Sequence, residues 1–452
     1  MTQCNARQMV FGEHGRREVV ANFDGGTIST DGGALLLREV DRRLKLVDRL
    51  AVCFRDERNP LLVRHRLQEL IAQRVYALAL GYEDLNDHED LRHDPLLGVL
   101  AGKRAAGEEP LAGKSTLNRL ELSSGSSNRY QKIHYEAHAI DELLVAVFLE
   151  APADAPEEIV IDLDTTDLAL HGEQEGRFFH GYYDSYCYLP LYIFCGEHLL
   201  CARLRTADQD AAAGCVQEIE RIVAQIRAAW PQVHIVLRAD SGFCRDELMS
   251  WCETQEVDYV LGVSRNPRLR RIIERSMRKA KRLQRQSGMA SRVFTEFKHR
   301  TTTGSWSRRR RVVAKCEQLE DKENPRFVVS SLSAKEWPAR ALYEDLYCAR
   351  GDMENRIKEQ KSLFAERVSA GIMRANQLRL YLSAIAYLLM HGLRRLALTG
   401  TEFAKAQVNT IRLKFLKIAA QVRVTARKVW ISMASSYPHQ ALFELLYQRL
   451  RI

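Results

Sequence analysis

The sequence lacks the features of several common protein classes. None of its ten cysteines forms a C-x2-C pair, which argues against a zinc ribbon or a thioredoxin-type site. Thiols scattered through 452 residues are typical of a reducing compartment and not of a disulfide framework. No N-terminal apolar run is long enough for a signal peptide, and the longest apolar stretch, residues 380–393, is too short to span a bilayer. We therefore expect a soluble, cytoplasmic protein with no membrane partner.

Positive charge is present but unevenly distributed. The net charge of the whole chain is +9, whereas residues 265–315 carry eighteen Lys and Arg against only Glu274 and Glu296. That segment alone has a net charge of +16, which leaves −7 for the remainder. Residues 401–452 are also basic, with nine Lys and Arg against two acidic residues. Charge concentrated in this way favours a polyanionic partner such as nucleic acid.

The spacing of the apolar residues divides the chain into five predicted regions. Residues 1–155 follow a helical period and end in a Pro/Ala linker, so we expect a helical N-terminal domain. Residues 156–264 read strand, strand, strand, helix, strand, helix, strand, which predicts a mixed sheet with helices on its faces. The basic residues 265–335 form a strand-rich insertion, residues 336–398 return to the core, and residues 399–452 form a basic helical region. The predicted fold class is α/β with flanking helical regions.

Acidic residues follow two of the predicted strands. Asp162 and Asp164 end the first strand, and Asp240 ends the fourth. Ligands of open α/β sheets gather at the carboxyl ends of strands. Carboxylates collected there, with a glutamate from a later helix, suit Mg²⁺ or Mn²⁺. The alternative for Asp240 is a simple turn cap before Gly242, and the pattern alone leaves both Asp162 and Asp164 open.

A later predicted helix carries four polar residues on one stripe. At about 100° per residue, Tyr347, Arg350, Glu354 and Lys361 fall within about 60° of one another around the helix axis. A tyrosine, two cations and a carboxylate on one face are not a core pattern. The alternative interpretation is a solvated helix face joined by salt bridges.

These residues resemble a known enzyme family. The spacing Tyr347-x2-Arg350-x3-Glu354-x6-Lys361 resembles the Y-R-E-K signature of cut-and-paste DDE transposases from bacterial insertion sequences. Residues 161–166 (IDLDTT) and 237–243 (LRADSGF) are similar to the two aspartate motifs of that family, and residues 171–184 look like one of its subgroups. The resemblance implies an RNase H-like core in which Asp164, rather than Asp162, joins Asp240 and Glu354 as the catalytic residues and as the ligands of two Mg²⁺ (or Mn²⁺) ions.

The resemblance also implies partners and a reaction. Tyr347, Arg350 and Lys361 would contact DNA phosphates near the cleaved end. The protein would cut double-stranded DNA at terminal inverted repeats, with excision through a hairpin on the transposon end, and join the freed 3′-hydroxyl to target DNA as a homodimer on paired ends. It would be bacterial and nucleoid-associated when bound. From the charge pattern we expect backbone contacts from the insertion, at Arg308, Arg309, Arg310 and Arg311. The alternatives are an RNase H-like nuclease without strand transfer and an inactive DNA-binding relic of a transposon.

Overall fold

The computed structural model describes residues 8–103, 109–122, 128–301 and 305–451. We number strands and helices in chain order. The strands are β1 Met9–His14, β2 Arg17–Ala21, β3 Ile28–Ser29, β4 Phe54–Asp56, β5 Ile133–Tyr135, β6 Glu158–Thr165, β7 Leu168–Ala169, β8 Phe178–His180, β9 Ser185–Tyr188, β10 Leu191–Cys195, β11 His198–Arg203, β12 His234–Ala239, β13 Asp258–Val263, β14 Ser291–His299, β15 Arg310–Gln318, β16 Arg326–Ser330, β17 Ala420–Val424 and β18 Val429–Met433.

The α-helices lie between and after these strands. They are α1 Leu35–Leu44, α2 Leu46–Val52, α3 Leu67–Leu80, α4 His88–Leu91, α5 Pro95–Leu100, α6 Lys114–Glu121, α7 Ala137–Leu149, α8 Cys215–Ala229, α9 Asp246–Thr254, α10 Pro267–Ile272, α11 Glu274–Ser287, α12 Ala339–Ala341, α13 Gly351–Ser362, α14 Met373–Leu393, α15 Val408–Ile411 and α16 Gln440–Leu450. In the described part of the chain, every helix is too short or too polar to cross a bilayer.

The chain forms two compact units, and the second is built on a large mixed sheet. This unit comprises residues 52–57 and 121–391. Its eight-stranded sheet has the order β11-β10-β6-β12-β13-β16-β15-β14. Strand β6 is antiparallel to β10 and parallel to β12, and β12 is parallel to β13. Within residues 156–264, β6, β10, β11, α8, β12, α9 and β13 follow the predicted succession, whereas β7, β8 and β9 form an additional three-stranded sheet that was not predicted. The mixed α/β class is confirmed.

The two faces of β6 have different roles. Ile159, Ile161 and Leu163 point into a large apolar core, which also contains residues of α8 and α9. The alternate residues Val160, Asp162 and Asp164 lie on the other face, because successive side chains of a strand alternate. There, a second apolar cluster packs the sheet against the helical segment that begins at Leu342. The sheet thus presents its aspartates to the segment that carries the predicted Y-R-E-K residues.

The strand-rich insertion belongs to the same sheet and does not form a domain of its own. The strands of residues 265–335 are β14, β15 and β16, and β16 pairs antiparallel with β13. Val312 and Val329 are wholly buried at this extension. The composition of the segment, not its fold, therefore sets it apart from the core.

The first unit differs from the expected arrangement of two separate helical regions. It combines residues 1–51, 58–120 and 392–452. Strands β3, β17 and β18 form one sheet, in which Ala420 pairs with Ser29. Residues 399–452 are thus only partly helical, and α7 belongs to the second unit although it lies within the expected N-terminal domain. Asp141 of α7 is wholly buried and accepts a hydrogen bond from Tyr381 at 2.7 Å, which explains this placement.

Candidate active site

Asp162 forms a buried ion pair with Arg238. Arg238 is its register partner on the neighbouring parallel strand β12. The guanidinium donates from Nε and Nη2 to the two carboxylate oxygens at 2.6 and 2.7 Å, and from Nη1 to the carbonyl oxygen of Leu346 at 2.6 Å. Burial raises the pKa of Asp162, while the hydrogen bonds from Arg238 lower it. Asp162 therefore joins β6, β12 and the helical segment, with both oxygens occupied.

Asp164, two residues further along β6, faces a different environment. Its Oδ2 accepts a hydrogen bond from Nη1 of Arg350 at 2.8 Å, and its Oδ1 accepts one from the backbone N–H of Thr165 at 2.9 Å. Burial raises the pKa of Asp164 to about 6; Arg350 lowers it, and the negative charge of Asp240 raises it further. A carboxylate with a raised pKa beside a second carboxylate is a marker of functional sites.

Asp240 immediately follows β12, at the same edge of the sheet. Its Oδ1 accepts a hydrogen bond from the backbone N–H of Gly242 at 2.8 Å, so the turn cap considered for this residue is present. In the described part of the chain, its Oδ2 accepts no hydrogen bond. Capping uses one oxygen and leaves the other available, so the two interpretations of Asp240 are compatible.

Glu354 approaches the aspartates through Arg350. The carboxylate of Glu354 is about half exposed, and its Oε1 lies 3.7 Å from Nη2 of Arg350. The same guanidinium therefore lies between Asp164 and Glu354. Among the described residues, no three Asp, Glu, His or Cys side chains are already close enough together to hold a metal ion. Asp164 is thus the central carboxylate: Asp240 acts on it through its charge, and Arg350 joins it to Glu354.

The donor set fits a divalent cation. Carboxylate oxygens are hard ligands of the kind that Mg²⁺ and Mn²⁺ prefer. Asp164 has a raised pKa because it is buried beside Asp240, and a cation bound to both would remove this unfavourable electrostatic energy. The guanidinium of Arg350 already offsets part of the negative charge, so it would have to release Asp164 when the metal binds.

The segment that carries Tyr347 and Arg350 is not a uniform α-helix. A π-helical turn spans Leu342–Tyr347 and a 3₁₀ turn spans Cys348–Arg350, after which α13 begins. The prediction of one regular α-helix is therefore wrong, because only the part from Gly351 onward is α-helical. π-Helical turns are rare and often occur at functional sites. In the structure, the four signature residues still face the edge of the sheet that carries the aspartates.

Tyr347 and Lys361 lie at the two sides of this edge. A methyl group built on Gly262 of β13 would lie 2.6 Å from the Tyr347 hydroxyl and 3.2 Å from the carbonyl carbon of Asp240. The Lys361 ammonium lies 3.4 Å from the carbonyl oxygen of Asp167 and 3.9 Å from its carboxylate. Tyr347 therefore packs against β13, whereas Lys361 contacts the segment that follows β6.

The run from Arg308 to Arg311 is largely engaged inside the protein. Arg310 is only 4% exposed and pairs with Asp246 and Glu253 at 2.5 and 2.6 Å. Arg311 donates to Glu296 and to two backbone carbonyls, and Arg308 lies 3.2 Å from Glu253. Of the four, Arg309 is exposed and makes no ion pair within the described ranges. The expectation of backbone contacts therefore needs correction for Arg310 and Arg311, which hold the sheet to its neighbours.

Two residues of the site received no role from the sequence. Arg238 precedes Asp240 by two positions and therefore lies on the same face of the strand. The alternation of side chains along a strand could have identified it as a neighbour of the site. Asp167, the other residue, contacts Lys361 through its backbone carbonyl oxygen at 3.4 Å. Trp306 is 5% exposed within the apolar core, so it packs in the core.

Two neighbouring aspartates, with a glutamate, an arginine, a lysine and a tyrosine on the adjacent helical segment, suit chemistry on a phosphodiester. The family described as Transposase DDE domain group 1 matches residues 11–452. The chain therefore belongs to this family of transposase domains. A solved structure similar to this chain is the cryo-EM structure of a piggyBac transposase synaptic complex with hairpin DNA, at 10% identity and a TM-score of 0.41, over 94% of this chain and 82% of that one. No curated protein matches the sequence.

Proposed function

We propose that the protein is a cut-and-paste DNA transposase whose active site consists of Asp164, Asp240 and Glu354. The observation that supports this most strongly is the guanidinium of Arg350, which lies between Asp164 and Glu354 while Asp240 raises the pKa of Asp164. The strand order β11-β10-β6-β12-β13, with the aspartates on β6 and after β12, also supports an RNase H-like core. We assign Asp162 a structural role because Arg238 occupies both its oxygens.

The three carboxylates would hold Mg²⁺ or Mn²⁺, as a pair of ions, which would supply Lewis-acid activation of a nucleophilic oxygen and stabilise the leaving oxygen. The chain's own residues would position the DNA. Arg350, once released from Asp164, can donate two parallel hydrogen bonds to a phosphate, whereas Lys361 acts as a point charge. The hydroxyl of Tyr347, which packs against β13, can donate a hydrogen bond to the same DNA strand. We further propose that the substrate is double-stranded DNA with terminal inverted repeats, bound by a homodimer in a bacterial cytoplasm.

The test is cleavage of a duplex that carries the inverted repeat flanking the gene. E354Q should abolish metal-dependent cleavage and leave DNA binding largely intact, because Glu354 is exposed and contributes little to folding. A matched control is E157Q, which removes an exposed carboxylate just before the opposite end of β6. Unchanged cleavage by E354Q would contradict the assignment of the site.

A second assay separates transposition from simple cleavage. A pre-cleaved end with a free 3′-hydroxyl should be joined to target DNA by the wild-type protein. Cleavage without joining would favour an RNase H-like nuclease. Absence of both reactions, with intact binding of the ends, would identify an inactive DNA-binding relic.

A further inference from the structure

Two helices of the insertion are firmly attached to the sheet by one side. Leu269 of α10, Ile273 between the helices, and Met277 and Ala280 of α11 are all buried. The first three belong to the same apolar core as Val312 of β15. The helix pair is therefore a fixed part of the second unit, and the face opposite these residues has a defined position.

That opposite face is densely positive. All six cations of α11 are exposed; we call them the basic face of α11, and they are Arg275, Arg278, Lys279, Lys281, Arg282 and Arg285. The only acidic residue of the helix is Glu274, at 3.9 Å from Arg278. Within the described ranges, the other five cations form no ion pair. At 1.5 Å per residue, the fourteen residues of α11 extend over about 21 Å.

This arrangement is unfavourable for the protein on its own. Cations spaced three or four residues apart on a helix repel one another by about 0.2–0.5 kcal/mol per pair, and α11 contains several such pairs. A row of phosphates would convert this repulsion into attraction and release condensed counterions. A cleft beside the helix is lined by Arg271 of α10 and by Arg278 and Lys281, together with Glu274. Arg270 also lines it but pairs with Glu323 at 2.8 Å.

The helix pair also starts close to the candidate active site. Gly262 of β13 lies against Asp240, and α10 begins at Pro267, five residues further along the chain. Five residues span at most about 17 Å. The helices pack on the face of the sheet opposite Asp162 and Asp164, so DNA that reaches the carboxylates would contact α11 by passing around this edge of the sheet.

We propose that the basic face of α11 binds the sugar–phosphate backbone of duplex DNA next to the cleaved end. This inference rests on the proposed function, because that function makes duplex DNA the substrate. It assigns the electrostatic affinity of the insertion to α11 instead of to the run from Arg308 to Arg311, most of which is paired internally. Contacts of this kind position the DNA without reading its sequence.

The test compares two triple variants with the same change in net charge. R275Q/K279Q/R282Q removes half of the basic face, and glutamine keeps a good helix propensity. The control K132Q/K322Q/K335Q removes three exposed lysines of the same unit that lie outside α10 and α11. Binding of a fluorescent inverted-repeat duplex is measured by anisotropy over a series of salt concentrations, after thermal unfolding shows that both variants are folded.

The slope of log K against log salt should become shallower by about 0.9 for each lost phosphate contact, or about 2.7 for the first variant. The control should keep the wild-type slope. An unchanged slope in the first variant, an equal change in the control, or a change seen with duplex RNA and not with duplex DNA would overturn the proposal. Since binding needs no catalysis, a wild-type protein that fails to cleave contradicts the proposed function alone, whereas cleavage with an unchanged slope contradicts the role of α11 alone.

Discussion

Asp162 and Asp164 are two residues apart on one strand, and the structure predicts opposite consequences of losing them. D162N leaves the guanidinium of Arg238 buried without its counter-charge. Removing one member of a buried ion pair costs about 3–5 kcal/mol, and this side chain is only 9% exposed. D162N should therefore lower the free energy of unfolding of the second unit by roughly 3 kcal/mol or more, since asparagine keeps only part of the hydrogen bonding.

D164N should behave differently because the ionised carboxylate of Asp164 already lies in an unfavourable electrostatic environment. Burial and the charge of Asp240 raise the pKa of Asp164 to about 6, so a neutral amide relieves part of the repulsion. Arg350 can then turn to Glu354, which lies 3.7 Å away. We expect a change in stability of less than about 1 kcal/mol, together with complete loss of cleavage.

Urea unfolding followed by tryptophan fluorescence, with single-turnover cleavage on the same preparations, measures both effects. D162N should keep cleavage at low temperature, where it remains folded. The double variant D162L/R238M should recover most of the lost stability, because replacing both members of a buried pair with apolar residues is often nearly neutral. Equal destabilisation by D162N and D164N, or loss of cleavage by folded D162N with active D164N, would refute this division of roles.

Three further predictions follow from other contacts. G262A should cost about 1–3 kcal/mol of stability and slow cleavage, because the new methyl group would lie 2.6 Å from the Tyr347 hydroxyl; an unaltered cleavage rate would contradict this packing. R310M should lower stability by about 1–3 kcal/mol and R309Q by less than about 0.5 kcal/mol in the same urea titrations, since only Arg310 is buried against the partly exposed carboxylates of Asp246 and Glu253; similar values for the two variants would contradict this packing. Burial lowers the pKa of His88 to about 3, below its unfolded value of about 6.5. The unfolded chain therefore binds a proton that the folded protein does not, so the stability present above pH 6.5 should fall as the pH drops toward 3. H88Q should flatten this pH dependence in urea titrations, and an unchanged dependence would contradict the burial of His88.

The parts that the sequence predicted correctly depend on local patterns. The alternation in β6 and the charged residues that end it are contained in eight consecutive residues, and β12 and Asp240 follow the same rule. A parallel pairing then brings the carboxyl ends together without further information. For this reason the edge of the sheet that carries the aspartates could be predicted from strand order.

The parts that were missed depend on long-range pairing or on irregular winding. Strand β3 has only two residues, and its pairing with β17 joins positions almost 400 residues apart. No window of sequence contains that contact. Similarly, the 3.6-residue spacing of apolar residues does not reveal the π-helical turn that ends at Tyr347, because the tertiary contacts of the segment determine this turn.

The basic segment shows why composition alone misleads about contacts. Arg309 and Arg310 are neighbours in the sequence, yet one is exposed and the other is 4% exposed between two carboxylates. Asp246 and Glu253, its partners, lie on α9, more than fifty residues earlier. The distribution of positive charge predicted a DNA-binding region, but only the packing distinguishes the arginines that stabilise the fold from those on the surface.

The most direct test of the account is the binding of Mn²⁺ measured by electron paramagnetic resonance. The wild-type protein on its end DNA should take up Mn²⁺, and D164N, D240N and E354Q should each lose most of that uptake, whereas E157Q should retain it. Equal Mn²⁺ uptake by all five proteins would contradict the claim that Asp164, Asp240 and Glu354 together form the metal-binding active site.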